Sequence, residues 1–212
     1  MGRIEKEVFW SKLAPEAEKK GLKVIGVWEN GYRHITNSKR PINSPADLQG
    51  IKLRVPEGKW RVKMFQTYGA NPSPMKFSEV FTALQTGVMD GQENPFTQIY
   101  SAKFQEVQKF ISLTGHVYTP AYVTVGTKKW ESLPADVRKI LEDTAKETQA
   151  FVYDKAAKDD DDLLGKIKAA GVAVNTPNKD AFVAASKPVY EEFAKEVPGA
   201  KEVIDRAVAL GK

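Results

Sequence analysis

Residues 44–56 read Ser44-Pro45-Ala46-Asp47-Leu48-Gln49-Gly50-Ile51-Lys52-Leu53-Arg54-Val55-Pro56. A serine followed by proline is the start of a helix, with the hydroxyl as cap and proline at the first helical position. Gly50 stops that helix after one turn. Ile51, Leu53 and Val55 then alternate with Lys52 and Arg54, which is the period of a half-buried strand, and Pro56 ends it. A capped turn feeding a strand is a unit of α/β architecture.

The same alternation runs outward in both directions. Upstream, Val8, Phe9, Leu13 and Ala17 recur at helical spacing, so a helix is expected over 5–20, with a kink or a new start at Pro15. Strands are expected over 22–28 and 32–36, with Glu29-Asn30-Gly31 as the turn between them. Residues 37–45 read as a loop. Downstream, a helix over 59–68 is closed by Gly69, and Ser78 is expected to cap a helix over 79–86 closed by Gly87. A short strand over 88–90 precedes the polar stretch Asp90-Gly91-Gln92-Glu93-Asn94-Pro95, which reads as a loop leading into a helix over 95–107. A β-rich run over 117–125 is interrupted by Pro120. The longest element is a helix over 135–170, followed by a strand over 172–174 and helices over 180–196 and 201–210. This order gives an α/β fold with mostly parallel strands.

Composition removes several function classes. The chain has 212 residues and no cysteine, so disulfides, thiol chemistry and cysteine-bound zinc are excluded. Thirty-two Lys and Arg oppose 27 Asp and Glu, for a formal charge of +5. The basic residues come in pairs mixed with acids, not in runs, which disfavours a nucleic-acid module. The acidic run Asp159 to Asp162 reads as a solvated face, because it lacks the glycine turn and ligand spacing of a calcium loop. No apolar run approaches membrane-span length, and residues 1–10 lack the apolar core of a signal peptide. Of the two histidines, His34 and His116, neither has a recognisable catalytic partner, and both read as ordinary strand-end residues. There is no nucleophile elbow, no zinc-protease pair and no phosphate-binding glycine loop. No catalytic residue, metal site or cofactor is therefore expected.

Binding chemistry rests on arginine. Arg54 lies on the polar side of its strand, and Arg33 follows Gly31-Tyr32 on another. A guanidinium grips a carboxylate with two parallel hydrogen bonds. Spacing alone favours two surface arginines, since guanidinium groups are mostly exposed. The stretch Asp90 to Pro95 stands before a helix start, where open α/β sheets take ligands, although a plain capped loop fits it as well.

Longer motifs carry a resemblance. They are Gly31-Tyr32-Arg33, Asn37-Ser38-Lys39-Arg40-Pro41-Ile42, the opening stretch 44–56, Gly69-Ala70-Asn71-Pro72-Ser73-Pro74-Met75, Phe77-Ser78-Glu79-Val80, residues 83–95 (ALQTGVMDGQENP), residues 103–109 (KFQEVQK) and Thr114-Gly115-His116. Together they resemble the DctP-type solute-binding proteins of TRAP transporters over nearly the whole chain. The resemblance implies a periplasmic-binding-protein-like, two-lobed α/β fold with a long connecting helix, here truncated at the N-terminus. It implies a periplasmic protein, not an enzyme, that captures a small organic carboxylate such as a C4-dicarboxylate or sugar acid. The ligand is delivered to membrane permease subunits. The family's carboxylate-clamping arginine falls on Arg54, a second and less uniform arginine on Arg33, the ligand-contacting asparagine on Asn94 and an apolar wall on Phe77. Glu93 and Gln92 flank the site. Family members begin with further βα units, so this chain is expected to hold a remnant of the first lobe (1–30 and 120–159) and most of the second (31–119 and 160–212). In that case Arg54 is more exposed to water, as are the apolar sides of 22–28 and 122–125. The alternatives are a partial chain with little ligand binding of its own and, more remotely, a basic nucleic-acid-binding module.

Overall fold

A computed structural model describes residues 2–211. Strands β1 (Leu22–Asn37), β2 (Lys52–Val55), β3 (Asn71–Pro74), β4 (Gly91–Asn94), β5 (Phe110–Gly126) and β6 (Ala173–Asn175) form one sheet in the order β3-β2-β4-β1-β5-β6. The helices are α1 (Gly2–Ile4), α2 (Ala14–Lys19), α3 (Lys59–Thr67), α4 (Val80–Gln85), α5 (Phe96–Ser101), α6 (Thr127–Glu131), α7 (Ala135–Ala169), α8 (Lys179–Glu196) and α9 (Ala200–Leu210). The α/β class and the long helix α7 stand as expected. The pairings β2 with β3, β2 with β4 and β5 with β6 are parallel, in line with the expected mostly parallel sheet, but β1 runs antiparallel to β4, so the sheet is mixed.

The chain groups into two compact units. One comprises Met1–Asn30, Pro120–Ala157 and Ala194–Lys212; the other comprises Gly31–Thr119 and Lys158–Phe193. The terminal segment, placed at the sequence level with 160–212, groups with the first unit. The reason is that α9 lies on the N-terminal helical stretch: Arg206 pairs with Glu7, and Lys12 with Glu202. Within that first unit Glu5–Leu13 is a π-helix, and Pro15 sits at the start of α2, where its missing N–H is harmless. Phe9, Val24 and Val27 form its apolar centre. Val27 is fully buried, while Leu22 and Tyr122 are about half exposed, so the expected apolar exposure holds for single residues only.

The second unit carries two cores. Ile35, Leu53, Val55, Phe65 and Tyr68 pack together with Phe182 of α8. Val80, Leu84, Phe96, Ile99, Phe104 and Ile111 form the other, with Ile167 at the end of α7. The opening stretch folds as its residues dictate. Ser44 and Asp47 close a reciprocal capping box over the 3-10 turn Pro45–Leu48, and Leu48, Leu53 and Val55 are fully buried.

Three local expectations fail for identifiable reasons. The turn at Glu29 to Gly31 does not form; β1 runs straight through it. Gly31 adopts φ of +109°, which a residue with a Cβ rarely takes, and the strand continues past it without ending. The stretch Asp90 to Pro95 is not a loop: Gly91–Asn94 is β4, buried along its whole length. Its polar side chains mask its strand character because their partners come from distant elements. The strand expected over 88–90 therefore lies three residues further on, and the helix expected over 95–107 splits into α5 and the 3-10 turn Phe104–Glu106. Ser78 lies inside a 3-10 turn, Phe77–Glu79, and caps nothing.

Gly91 is required at the head of β4. A Cβ there would stand 2.3 Å from the Thr36 carbonyl oxygen and 2.8 Å from the Asn37 Cβ. Relief requires β1 and β4 to separate. Gly91→Ala is expected to destabilise the protein by about 3 kcal/mol, the upper range for overpacking. The check is a urea midpoint, and a wild-type value for the variant would refute the close approach.

Candidate functional site

The geometry of β4 sorts the candidate residues. In its antiparallel register with β1, Glu93 lies opposite Ile35, while Gln92 and Asn94 lie opposite Thr36 and His34. Paired residues share a sheet face. Gln92, Asn94, Thr36 and His34 therefore share one face, and Glu93 takes the other. On the far side of β4, Arg54 of β2 lies opposite Gln92. Arg33 stands one residue before His34 on β1, at the end of the paired stretch.

Glu93 is fully buried, and its carboxylate is saturated by donors. Arg33 gives Nε to Oε2 at 2.5 Å and Nη2 to Oε1 at 3.1 Å. Arg61 of α3 gives Nη1 to Oε2 at 3.1 Å, and His116 of β5 gives Nε2 at 3.0 Å. The Arg33 Nη2 also reaches the Glu93 carbonyl at 2.7 Å and Asn94 Oδ1 at 2.9 Å. Arg33 thus ties the Glu93 face of β4 to the Asn94 face.

Arg54 is only 3% exposed, not open to water as a lone lobe implied. Its Nε and Nη2 donate to the Met75 carbonyl at 3.0 and 2.6 Å, which anchors one edge of the guanidinium. β2 and β3 supply this geometry, because Arg54 pairs with Ser73, just upstream of Met75. Phe77 stands apart from the hydrogen-bonded group. It is 45% exposed and meets Phe104 edge-on at 5.7 Å.

Electrostatics follow from this packing. Burial alone would raise the Glu93 carboxyl; the hydrogen bond from His116 and the charges of Arg33 and Arg61 overturn that and hold it at about 2. Burial lowers the Arg54 and Arg61 guanidinium groups, with Glu93 opposing the shift and Arg33 adding to it. Arginine remains charged through such shifts. Burial also lowers His116, against the pull of Glu93. A neutral ring fits its partners: Nε2–H donates to Glu93, and Nδ1 lies 2.7 Å from the Thr114 hydroxyl. Arg33 and Arg61 bond the Glu93 carboxylate while Arg54, held on Met75, feels its charge through space, so three guanidinium groups share one carboxylate and positive charge is in excess.

Sequence reasoning missed Arg61 and His116. Arg61 is one of several basic residues on an ordinary helix, and only the fold brings it to Glu93. His116 looked unpartnered because its partner is 23 residues away in the chain. Among the described residues, no three His, Cys, Asp or Glu side chains are grouped to hold a metal ion. Among the same residues, no helix is long and apolar enough to cross a membrane.

Acid is expected to destabilise this unit. Burial, with the nearby His116 and Lys179, holds His34 at about 3 against an ordinary 6.5. Its Nδ1 accepts the Gly115 N–H at 3.2 Å, and its ring stacks on Phe96 at 4.4 Å, so a neutral ring is built in. His34, His116 and Glu93 all bind protons more weakly in the folded state than in the unfolded chain. Stability is therefore full above about pH 6.5, begins to fall below it through His34 and His116, and falls more steeply below about 4.5 as Glu93 joins. Each group contributes a slope of about 1.4 kcal/mol per pH unit. Urea midpoints from pH 7.5 to 4 check this. His34→Gln should reduce the slope between 6.5 and 4.5, leaving the part that His116 carries, and an unchanged slope would contradict the assignment.

The sequence profile of the bacterial extracellular solute-binding proteins of family 7, DctP, matches residues 1–196. The 2,3-diketo-L-gulonate-binding periplasmic protein YiaO of Escherichia coli strain K12 is 40% identical over 194 residues, spanning 91% of this chain and 59% of that protein. A TRAP periplasmic solute-binding protein of Roseobacter denitrificans, with bound β-D-glucuronate, superposes with a TM-score of 0.93 at 32% identity, covering 97% of this chain and 68% of that one. Another, from Shewanella oneidensis with bound succinate, gives 0.92 at 33% identity, covering 100% and 70%. This chain, with its buried arginine–glutamate–asparagine group, belongs to the DctP family of solute-binding proteins that serve TRAP transporters.

Proposed function

We propose that this chain supplies the ligand-reading face of a TRAP solute-binding subunit. It acts outside the cytoplasm, holds a small organic carboxylate and passes it to a membrane permease without turning it over. The observation that carries this reading is the buried cationic excess of Arg33 and Arg61, which share the Glu93 carboxylate, and of Arg54, whose guanidinium bonds the Met75 carbonyl instead. Unbalanced buried positive charge is unfavourable until an anion joins it. The three relatives above bind a keto sugar acid, a uronate and a dicarboxylate, which share the carboxylate group.

In this scheme Arg54 takes the ligand carboxylate on the guanidinium edge away from Met75. Asn94 donates beside it, and Phe77 supplies an apolar wall. Arg33 is the second arginine, held in place by Glu93. Glu93 and Gln92 support the site from within β4. Thermal denaturation with succinate, malate, D-glucuronate and D-erythronate, against glucose as a neutral control, tests the proposal. At least one acid is expected to raise the melting temperature by several degrees at saturating concentration, as mass action requires. A panel in which no acid exceeds the glucose control would refute it.

A further inference from the structure

Behind Asn94 runs a chain of buried hydrogen bonds whose direction is dictated at both ends. Gln108 gives Nε2 to two backbone carbonyls, of Val107 at 3.0 Å and of Asp90 at 3.4 Å. A carbonyl oxygen only accepts, so the Gln108 nitrogen must lie on that side and its Oε1 on the other. That Oε1 stands 2.9 Å from the Thr36 hydroxyl, which must donate to it. The hydroxyl has a single hydrogen, so toward Gln92 it can only accept. Gln92 Nε2 fills that role at 3.0 Å, which turns Gln92 Oε1 toward Asn94. Asn94 Nδ2 donates to that oxygen at 2.6 Å. Asn94 Oδ1 is left facing Arg33 Nη2, a group that only donates. Thr36, Gln92, Asn94 and Gln108 are all at most 5% exposed, so water does not compete for these contacts.

We infer that this one-way relay sets the orientation of the Asn94 amide, making Thr36 and Gln108 positioning residues for a donor-only site. If the Asn94 amide were flipped, its NH2 group would face the donors of Arg33 and its oxygen would face that of Gln92. Both ends forbid it. What Asn94 offers a guest beside Arg54 is then its second Nδ2 hydrogen. A guest group that only accepts, a carboxylate, satisfies both Asn94 and Arg54 with its two oxygens, whereas the amide of the same acid replaces one of those oxygens with a donor. The inference rests on the proposed binding of organic acids for its functional consequence, but the relay itself does not depend on a ligand.

Thr36→Val tests it, since valine keeps the shape and removes the hydroxyl. The first readout is exchange of the Asn94 side-chain amide hydrogens, followed by nuclear magnetic resonance in the unliganded protein. Protection is expected to fall at least tenfold in Thr36→Val and to return in Thr36→Ser. Gln108→Met, which removes the far acceptor, should give the same loss if Thr36→Val folds poorly. The second readout is calorimetric affinity for D-glucuronate against D-glucuronamide. The variant is expected to weaken D-glucuronate binding by about tenfold and to narrow its margin over the amide, with Thr36→Ser restoring both. Wild-type protection at Asn94 in Thr36→Val and Gln108→Met would overturn the relay. Loss of protection in a protein that binds neither D-glucuronate nor succinate would uphold the relay and overturn the proposed function.

Discussion

Arg54→Ala is expected to weaken binding of an organic acid by about a hundredfold, with the fold retained. A charge-assisted hydrogen bond contributes about 1.5–3 kcal/mol, and a bidentate carboxylate clamp makes two of them. Loss of the guanidinium also removes much of the cationic excess that draws an anion to this face. The wild-type group is 3% exposed and anchored on the Met75 carbonyl, so it meets a ligand without first being ordered. Arg54→Lys is expected to recover only part of the loss, because an ammonium group lacks the planar fork. Calorimetric titration reads both variants. An alanine variant with wild-type affinity would remove Arg54 from the site.

Glu93→Gln is expected to have the largest effect on stability. The carboxylate receives Arg33, Arg61 and His116 at once, and its side chain is fully buried. Removing its charge leaves two guanidinium groups facing each other without an anion. Breaking one partner of a buried ion pair costs about 3–5 kcal/mol. For a chain of this size that corresponds to a fall in melting temperature on the order of 10 °C. The glutamine amide must also set donors against donors at one of its two ends. Added organic acid should recover part of the lost stability, since it supplies the missing negative charge. Calorimetric melting with and without succinate checks both points, and an unchanged melting temperature would show that Glu93 is not the keystone of this group.

The pattern around Arg54 was readable in advance because its signals are local. The Ser44–Asp47 box, the Gly50 stop and the alternation through Val55 each act within a few residues, and the strand and its capped turn formed as those residues dictate. β4 was not readable in that way. Gly-Gln-Glu-Asn has no apolar alternation, and its burial depends on Arg33, Thr36 and Arg61, which lie 32 or more residues away in sequence. Periodicity cannot report a strand whose polar groups are satisfied by distant partners. The same holds for β1, where Gly31 carries a positive φ within a continuous strand instead of making a turn. Arg54, Arg33 and the stretch Asp90 to Pro95 stood out from residue type and placement, and the resemblance to DctP proteins gave Arg54, Arg33, Asn94, Glu93 and Gln92 their expected places at the site. It did not bring out Arg61, His116 or the Thr36–Gln108 relay, which become visible only when strands and helix are assembled.

The most direct test is a crystal structure of the protein with an organic acid selected from the thermal panel. The carboxylate is expected within about 2.7–3.1 Å of the Arg54 guanidinium, with the Asn94 amide nitrogen donating to the same ligand. An acid bound elsewhere, with Arg54 still held only by the Met75 carbonyl, would contradict the account.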